Sequence, residues 1–228
     1  MIQIKDLSVS FSEKQVLKNI DIRFNSGWIH GIVGLNGSGK TTFFNSLTGV
    51  VKLSNGQILF NDKPFHFADA SYLETNNYFY SRLTGSEYLK IFEQTNSSFN
   101  LDVLQHFFEL PLDELIDNYS TGMKKKLALL CLLKQDRPVY LLDEPFNSLD
   151  METIKVLEQI ILILKEKGKT LFISSHIIDP LLKLCDEIHY LTNGRFSKTY
   201  KSPEFASIEN DLFSKIREDA KQKLGESI

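Results

Sequence analysis

Apolar residues alternate at Ile2, Ile4, Leu7, Val9 and Phe11, with an irregularity around Lys5-Asp6, and again at Ile20, Ile22 and Phe24. Period-two alternation predicts two strands. Asn25-Ser26-Gly27 then turns the chain, and the β-branched run Ile29 to Val33 predicts a buried third strand. Gly56 to Phe60 reads as another strand, closed by an Asn61-Asp62 turn. The short turns make this opening mostly antiparallel.

From about Thr75 to Lys134 the pattern becomes helical. Thr84 and Glu87 form a capping box for a helix through Phe92. Asn96 to Asn100 is a polar loop. Leu101, Leu104, Phe107 and Phe108 mark a second helix closed by Pro111, and Ser120 precedes a long Lys- and Leu-rich helix from Gly122 to Leu133. Strands then alternate with helices. Val139 to Leu142 is a strand. Asp150 caps a helix carrying Ile154, Leu157, Ile161 and Leu164, which Gly168 ends. Thr170 to Ser174 is a strand and Leu181 to Leu184 is helical. Glu187 to Leu191 and Phe196 to Tyr200 flank Asn193-Gly194, a hairpin signal. After Pro203 an amphipathic helix carries Phe205, Ile208, Leu212, Ile216 and Ala220 on one stripe. The expectation is one domain over residues 1–228: an α/β core from 1–74 and 135–202, a helical subdomain over about 75–134, and a C-terminal helix at 203–228.

Bulk properties narrow the function. The chain has 26 Lys+Arg against 29 Asp+Glu, a formal charge of -3, which gives no global attraction to nucleic acid. Cys131 and Cys185 lie in apolar surroundings without metal-ligand spacing, so they read as reduced core thiols of a cytosolic protein. The N-terminus alternates and shows no signal-peptide core. No apolar run approaches the roughly 18–20 residues that span a bilayer, so at a membrane another chain would supply the anchor. His30, His66, His106 and His189 match no motif and read as structural, and Trp28 reads as packing.

Gly34-Leu35-Asn36-Gly37-Ser38-Gly39-Lys40-Thr41 carries the chemistry. It fits the phosphate-binding loop, and it sits between a strand and a helix as that loop requires. Glycines let successive N–H groups face one anion, and the helix start adds its dipole. Lys40 is suited to the β/γ-phosphates and the Thr41 hydroxyl to Mg²⁺; Thr42 continues the helix start. The strand Val139 to Leu142 then delivers Asp143 and Glu144 at its end. An acid after an apolar strand is the Walker B pattern: the Asp serves Mg²⁺ and the next acid can polarise a water.

These residues resemble the ATP-binding subunit of an ABC (ATP-binding cassette) transporter. The resemblance covers nearly the whole chain, in the family's motif order. Leu142-Asp143-Glu144-Pro145 is similar to its L-D-E-P, Asn147-Ser148-Leu149-Asp150 to its D-loop, Ile173-Ser174-Ser175-His176 to its switch histidine, and Tyr119-Ser120-Thr121-Gly122-Met123 to its LSGGQ signature. The resemblance implies a P-loop NTPase fold: a mixed sheet core, an antiparallel β subdomain and a helical subdomain. It implies ATP and Mg²⁺ as cofactors, Glu144 as catalytic base, and His176 as a catalytic γ-phosphate contact. Phe11 falls where the family stacks adenine. Ser120, Gly122 and Asp150 fall where it contacts the other subunit's ATP. Thr121 and Met123 replace a Gly and the Gln of the signature. The Q-loop glutamine is also replaced: Glu74 or Thr75 stands at its place, and Glu74 is a candidate metal ligand directly or through water. Lys124, Lys125 and Lys126 read as a solvated helix face. The implied partners are a second cassette, identical or not, and a multi-span membrane permease docking around Phe79 to Phe92, which would hold the chain on the inner face of the cell membrane. Thr84 to Leu89 resembles exporter-type cassettes. A soluble cassette ATPase acting on ribosomes or nucleic acid is the competing class; such proteins typically carry two cassettes or large inserts on one chain, and no nucleic-acid partner is expected here.

Overall fold

The computed structural model describes residues 1–92, 94–208 and 210–212. Strands β1 (Ile2–Phe11) and β2 (Lys14–Phe24) pair antiparallel, and β4 (Asn55–Phe60) with β5 (Lys63–Pro64) completes a four-stranded sheet in the order β2-β1-β4-β5. The second sheet holds β3 (Ile29–Val33), β6 (Ala70–Leu73), β7 (Val139–Asp143), β8 (Thr170–Ser175), β9 (Glu187–Thr192) and β10 (Arg195–Lys201). Its order is β10-β9-β3-β8-β7-β6, parallel except for the β9–β10 hairpin. The expected mixed sheet and antiparallel sheet are both present.

Every residue of β3, β7 and β8 is buried, as the continuous apolar runs require of parallel strands covered on both faces. Alternation splits each strand between two cores. Ile32, Val139, Leu141 and Phe172 pack with the antiparallel sheet and with Phe43 and Phe44 of α1 (Lys40–Leu47). Val33, Tyr140, Leu142, Leu171 and Ile173 face α4 (Thr121–Lys134), α5 (Met151–Glu166) and α6 (Asp179–Leu184). Two further helices, α2 (Gly85–Ile91) and α3 (Leu101–Phe108), lie in the expected helical stretch. The Thr84–Glu87 capping box forms reciprocally: Glu87 N–H donates to Thr84 Oγ1 and Thr84 N–H to Glu87 Oε2.

The sheet positions the site. Val33 pairs with Ser175, Asp143 with Ser174 and Leu73 with Leu142, so the carboxyl ends of four parallel strands open on one edge. Such an edge is where open α/β sheets bind ligands.

Four details depart from the sequence reading. β2 begins at Lys14, well before Ile20. The edge strand β6 was not anticipated, because Ala70-Ser71-Tyr72-Leu73 carries weak β propensity. Trp28 is 37% exposed and stacks on His30 instead of filling a core. The chain after Lys201 begins as a 3-10 helix over Ser202–Ser207 and becomes α-helical, as expected, at Ile208 and the described residues 210–212, with Phe205, Ile208 and Leu212 buried; Ile216 and Ala220 lie outside the described residues.

The expected irregularity in β1 is real. Asp6 has φ 49°, and β1 shifts register against both β2 and β4 around it. Gly56 crosses this bulge with φ 92°, and a Cβ there would meet the Lys5 and Asp6 carbonyl oxygens at 2.5 and 2.4 Å. The obstructing atoms are backbone, so the strands would have to separate. We expect Gly56→Ala to destabilise the fold by at least about 2 kcal/mol. A guanidinium midpoint unchanged from wild type would contradict that account of the bulge.

Candidate functional site

The phosphate loop follows β3 directly. Gly34 is pressed against its surroundings: a Cβ would meet the Leu191 carbonyl at 2.3 Å and Ser38 Oγ at 2.6 Å. Gly37 and Gly39 take φ 79° and 109°, left-handed values that glycine adopts without strain. Gly39 thereby opens α1 with no side-chain cap, and the N–H groups of Lys40, Thr41 and Thr42 have no hydrogen-bond partner among the described residues. These are free donors of a helix start, facing a cleft of about 510 Å³. Lys40 is nearly buried, and its Nζ donates to the Gly34 carbonyl at 2.8 Å. Ser38 Oγ is buried without a partner. A set of free donors, a cation and an orphaned hydroxyl fits a polyphosphate.

Asp143 closes the floor. It is fully buried, and its carboxylate collects three hydroxyls: Thr41 Oγ1 at 2.8 Å, Thr75 Oγ1 at 2.8 Å, and Ser174 Oγ on the other oxygen. Hydroxyl and carboxylate oxygens are the donor set of a hard cation, so the residues fit Mg²⁺. Beside it, Glu144 sits in the left-handed region at φ 50°. Its N–H donates to the Ser174 carbonyl and hydroxyl, and the Glu144 side chain accepts from His176 Nδ1 at 2.8 Å and from the His176 N–H at 3.3 Å. The carboxylate is 10% exposed and the imidazole 51%, so the pair stands at the cleft wall with the ring reaching into solvent.

Of the residues singled out from sequence, Asn36, Gly37, Gly39, Lys40, Thr41, Thr42, Asp143, Glu144 and His176 all line this cleft. Others do not. Phe11 lies at the β1–β2 turn, 49% exposed, and Val16 is the β2 residue that reaches the cleft. Ser120 caps α4 through Met123 N–H, and Gly122 abuts the Ser148 carbonyl, where a Cβ would stand 2.6 Å away. Asp150 caps α5 through Thr153 and pairs with Lys126 at 3.3 Å. The hydrogen bond from the Thr153 N–H is the main cause holding the Asp150 carboxyl down to about 2.

Two expectations are corrected. Glu74 is exposed and faces a separate groove lined by Tyr78, Tyr88 and Phe92, whereas Thr75 turns to Asp143. β6 ends at Leu73, so consecutive residues leave on opposite sides, and Thr75 is the one directed to the carboxylate. The three lysines of α4 are not one solvated face either. Lys125 is 3% exposed and its Nζ donates to the Glu144 carbonyl at 2.7 Å; Lys126 reaches Asp150 and the Phe108 carbonyl. Burial lowers the Lys125 ammonium's pKa, while Glu144 and Asp143 oppose that shift. Its spacing to the buried Leu129 and Leu132 is the signal that places Lys125 on the inner stripe. Asn147, which also lines the cleft, was legible only as part of the D-loop resemblance.

Comparison with known proteins agrees with this geometry. The ABC transporter family model matches residues 17–147. The uncharacterized ABC transporter ATP-binding protein YcbN of Bacillus subtilis is 31% identical over 209 residues, covering 86% of this chain and 67% of that protein. The lantibiotic transport ATP-binding protein SrtF of Streptococcus pyogenes is 28% identical over 214 residues, covering 90% and 93%. A solved ATP binding subunit of an ABC transporter superposes with TM-score 0.83 at 26% identity, covering 93% of this chain and 94% of that one. With a phosphate loop, a buried aspartate and a Glu–His pair on one sheet edge, the chain belongs to the ABC transporter family as an ATP-binding subunit with ATPase activity.

Proposed function

We propose that this chain is the motor of an exporter-type ABC transporter, hydrolysing MgATP between two cassettes and driving a separate membrane subunit. The observation that carries the reading is the convergence of Lys40, Thr41, Asp143, Glu144 and His176 on one cleft. The loop N–H groups and Lys40 hold the phosphates. Thr41 and Asp143 would hold Mg²⁺, whose charge offsets that of the phosphates, and Thr75 orients Asp143. Glu144 aligns the attacking water, and His176 steadies both Glu144 and the γ-phosphate. Phosphoryl transfer asks mainly for positioning and charge neutralisation, which these groups supply. Phe11, which does not line the phosphate cleft, is assigned to the adenine.

The Ser120–Gly122 edge and Asp150 lie outside the chain's own cleft, and the Gly122–Ser148 contact and the Lys126–Asp150 pair bind them into one surface. That supports their serving the ATP of a second cassette across a head-to-tail dimer. Among the described residues no helix is long and apolar enough to cross a membrane, which accords with a separate permease and attachment at the inner membrane face through it. Tyr78 and Tyr80, 79% and 59% exposed at the head of the helical stretch 75–134, are suited to receive that permease. SrtF, described as a lantibiotic transport ATP-binding protein, supports transport, and the likeness of Thr84 to Leu89 to exporter-type cassettes supplies the direction.

Thr75 and Glu74 offer a test of the metal assignment. We expect Thr75→Val to raise the Mg²⁺ concentration for half-maximal hydrolysis about tenfold, the usual cost of losing a partner that orients a metal ligand. Glu74→Gln should move it less than about twofold. The reverse pattern would return Glu74 to the metal. Recovery of a multi-span membrane protein with the chain from detergent extracts tests the partner, and recovery of ribosomes or nucleic acid instead would overturn the transport reading.

A further inference from the structure

Three ligating side chains converge behind the phosphate loop, in a place the ATP cleft does not use. Alternation puts Glu187 and His189 on one face of β9, and the parallel register sets His30 of β3 beside Glu187. All three are buried: His30 is 0% exposed, His189 1% and Glu187 8%. His30 Nδ1 and His189 Nε2 stand 3.2 Å apart, and Glu187 Oε2 is 3.9 Å from each. The point equidistant from these three atoms lies about 2.1 Å from every one of them, within the range zinc keeps to imidazole nitrogen and carboxylate oxygen. We propose that His30, Glu187 and His189 bind a borderline divalent cation of the zinc class, which ties β3 to β9 beneath the phosphate loop.

Two observations beyond the spacing support an ion. First, both imidazoles are oriented from outside. His30 Nε2 lies 2.9 Å from the Asn25 carbonyl, which only accepts, so Nε2 carries the proton and Nδ1 turns a lone pair inward. His189 Nδ1 lies 3.0 Å from Thr199 Oγ1. Metal-bound histidines are oriented by such outer bonds. Second, the Glu187 carboxylate, on a side chain 11% exposed, receives no hydrogen bond from a described side chain. Lys201 Nζ stands 3.9 Å off on a side chain 71% exposed, so no close cation among the described residues already occupies the carboxylate. Two imidazoles and one carboxylate suit zinc, cobalt or nickel better than magnesium or calcium. Phe24 edges onto both rings, which keeps the site in a low-dielectric wall.

The location gives the ion a task. β3 runs straight into Gly34, and the Leu191 carbonyl of β9 backs that glycine. A link between His30 and His189 would stiffen the footing of the loop from the side opposite the nucleotide.

The competing occupant is a proton shared between the two imidazoles, with the Thr199 hydroxyl donating to His189. The two are separated by titrating untagged, chelator-stripped, nucleotide-free protein with Co²⁺ in excess Mg²⁺. We expect one equivalent of Co²⁺ with the visible absorption of a four-coordinate site, lost when Zn²⁺ is added, and a higher melting temperature. Glu187→Gln and His189→Gln should each weaken Co²⁺ binding at least about a hundredfold, and Thr199→Val about tenfold. Retained ATP binding certifies that each variant is folded. Absence of that absorption in the wild type, or undiminished Co²⁺ affinity in Glu187→Gln, overturns the metal site and leaves the shared proton.

Discussion

Glu144→Gln should slow ATP hydrolysis by about 10²–10⁴-fold, the usual contribution of a positioned general base, while MgATP still binds. The substitution is nearly isosteric, and the geometry says what survives it. The Glu144 N–H remains on Ser174, and the Gln carbonyl oxygen can still accept from His176 Nδ1. The lost property is the carboxylate's capacity to draw a proton from water. Because binding and closure precede that step, the variant should accumulate with ATP as a dimer. Phosphate release, equilibrium nucleotide binding and size-exclusion elution, measured together, test the assignment. Turnover at the wild-type rate would remove Glu144 from the role of base. Loss of nucleotide binding would show that the carboxylate holds the ligand instead.

The parts of this site that were legible in the sequence are those whose geometry is local. Gly34 to Thr41 encodes a loop and a helix start within one turn of chain, so its free N–H groups follow from spacing alone. Asp143 was legible because an apolar strand must end where its polar residues begin. The Thr84–Glu87 box and the Asn193-Gly194 hairpin are likewise complete within a few residues. What was not legible depends on long-range packing. The middle lysine of Lys124 to Lys126 reads as solvent-facing until α4 is seen against the strand end that presents the Glu144 carbonyl. The choice between Glu74 and Thr75 is a matter of one residue of register, and only the pairing of β6 with β7 fixes it. His30, Glu187 and His189 match no motif, because His30 lies on a neighbouring strand more than 150 residues from the other two. Sequence spacing carries chemistry when one turn or helix holds the ligands, and hides it when a sheet assembles them.

Lys40→Ala should weaken MgATP binding between about tenfold and a hundredfold, and the loss should belong to the phosphates alone. In this structure the ammonium rests on the Gly34 carbonyl at 2.8 Å, and the cleft around it is lined by hydroxyls, amides, carboxylates, Val16 and the His176 imidazole. On ATP it exchanges that neutral acceptor for anionic oxygens. A hydrogen bond to a charged group contributes about 1.5–3 kcal/mol, which is roughly ten- to 150-fold in affinity for one such bond. The loop's conformation does not depend on the side chain, since Gly37 and Gly39 set it through their own φ values and α1 packs through Phe43, Phe44 and Leu47. The melting temperature should therefore move by no more than a few degrees. AMP, which lacks the β- and γ-phosphates, should bind wild type and variant alike, so the variant loses its preference for ATP over AMP. If ATP affinity were undiminished, the free N–H groups alone would account for binding and Lys40 would have no part in it. If AMP weakened in parallel, the substitution would have collapsed the loop.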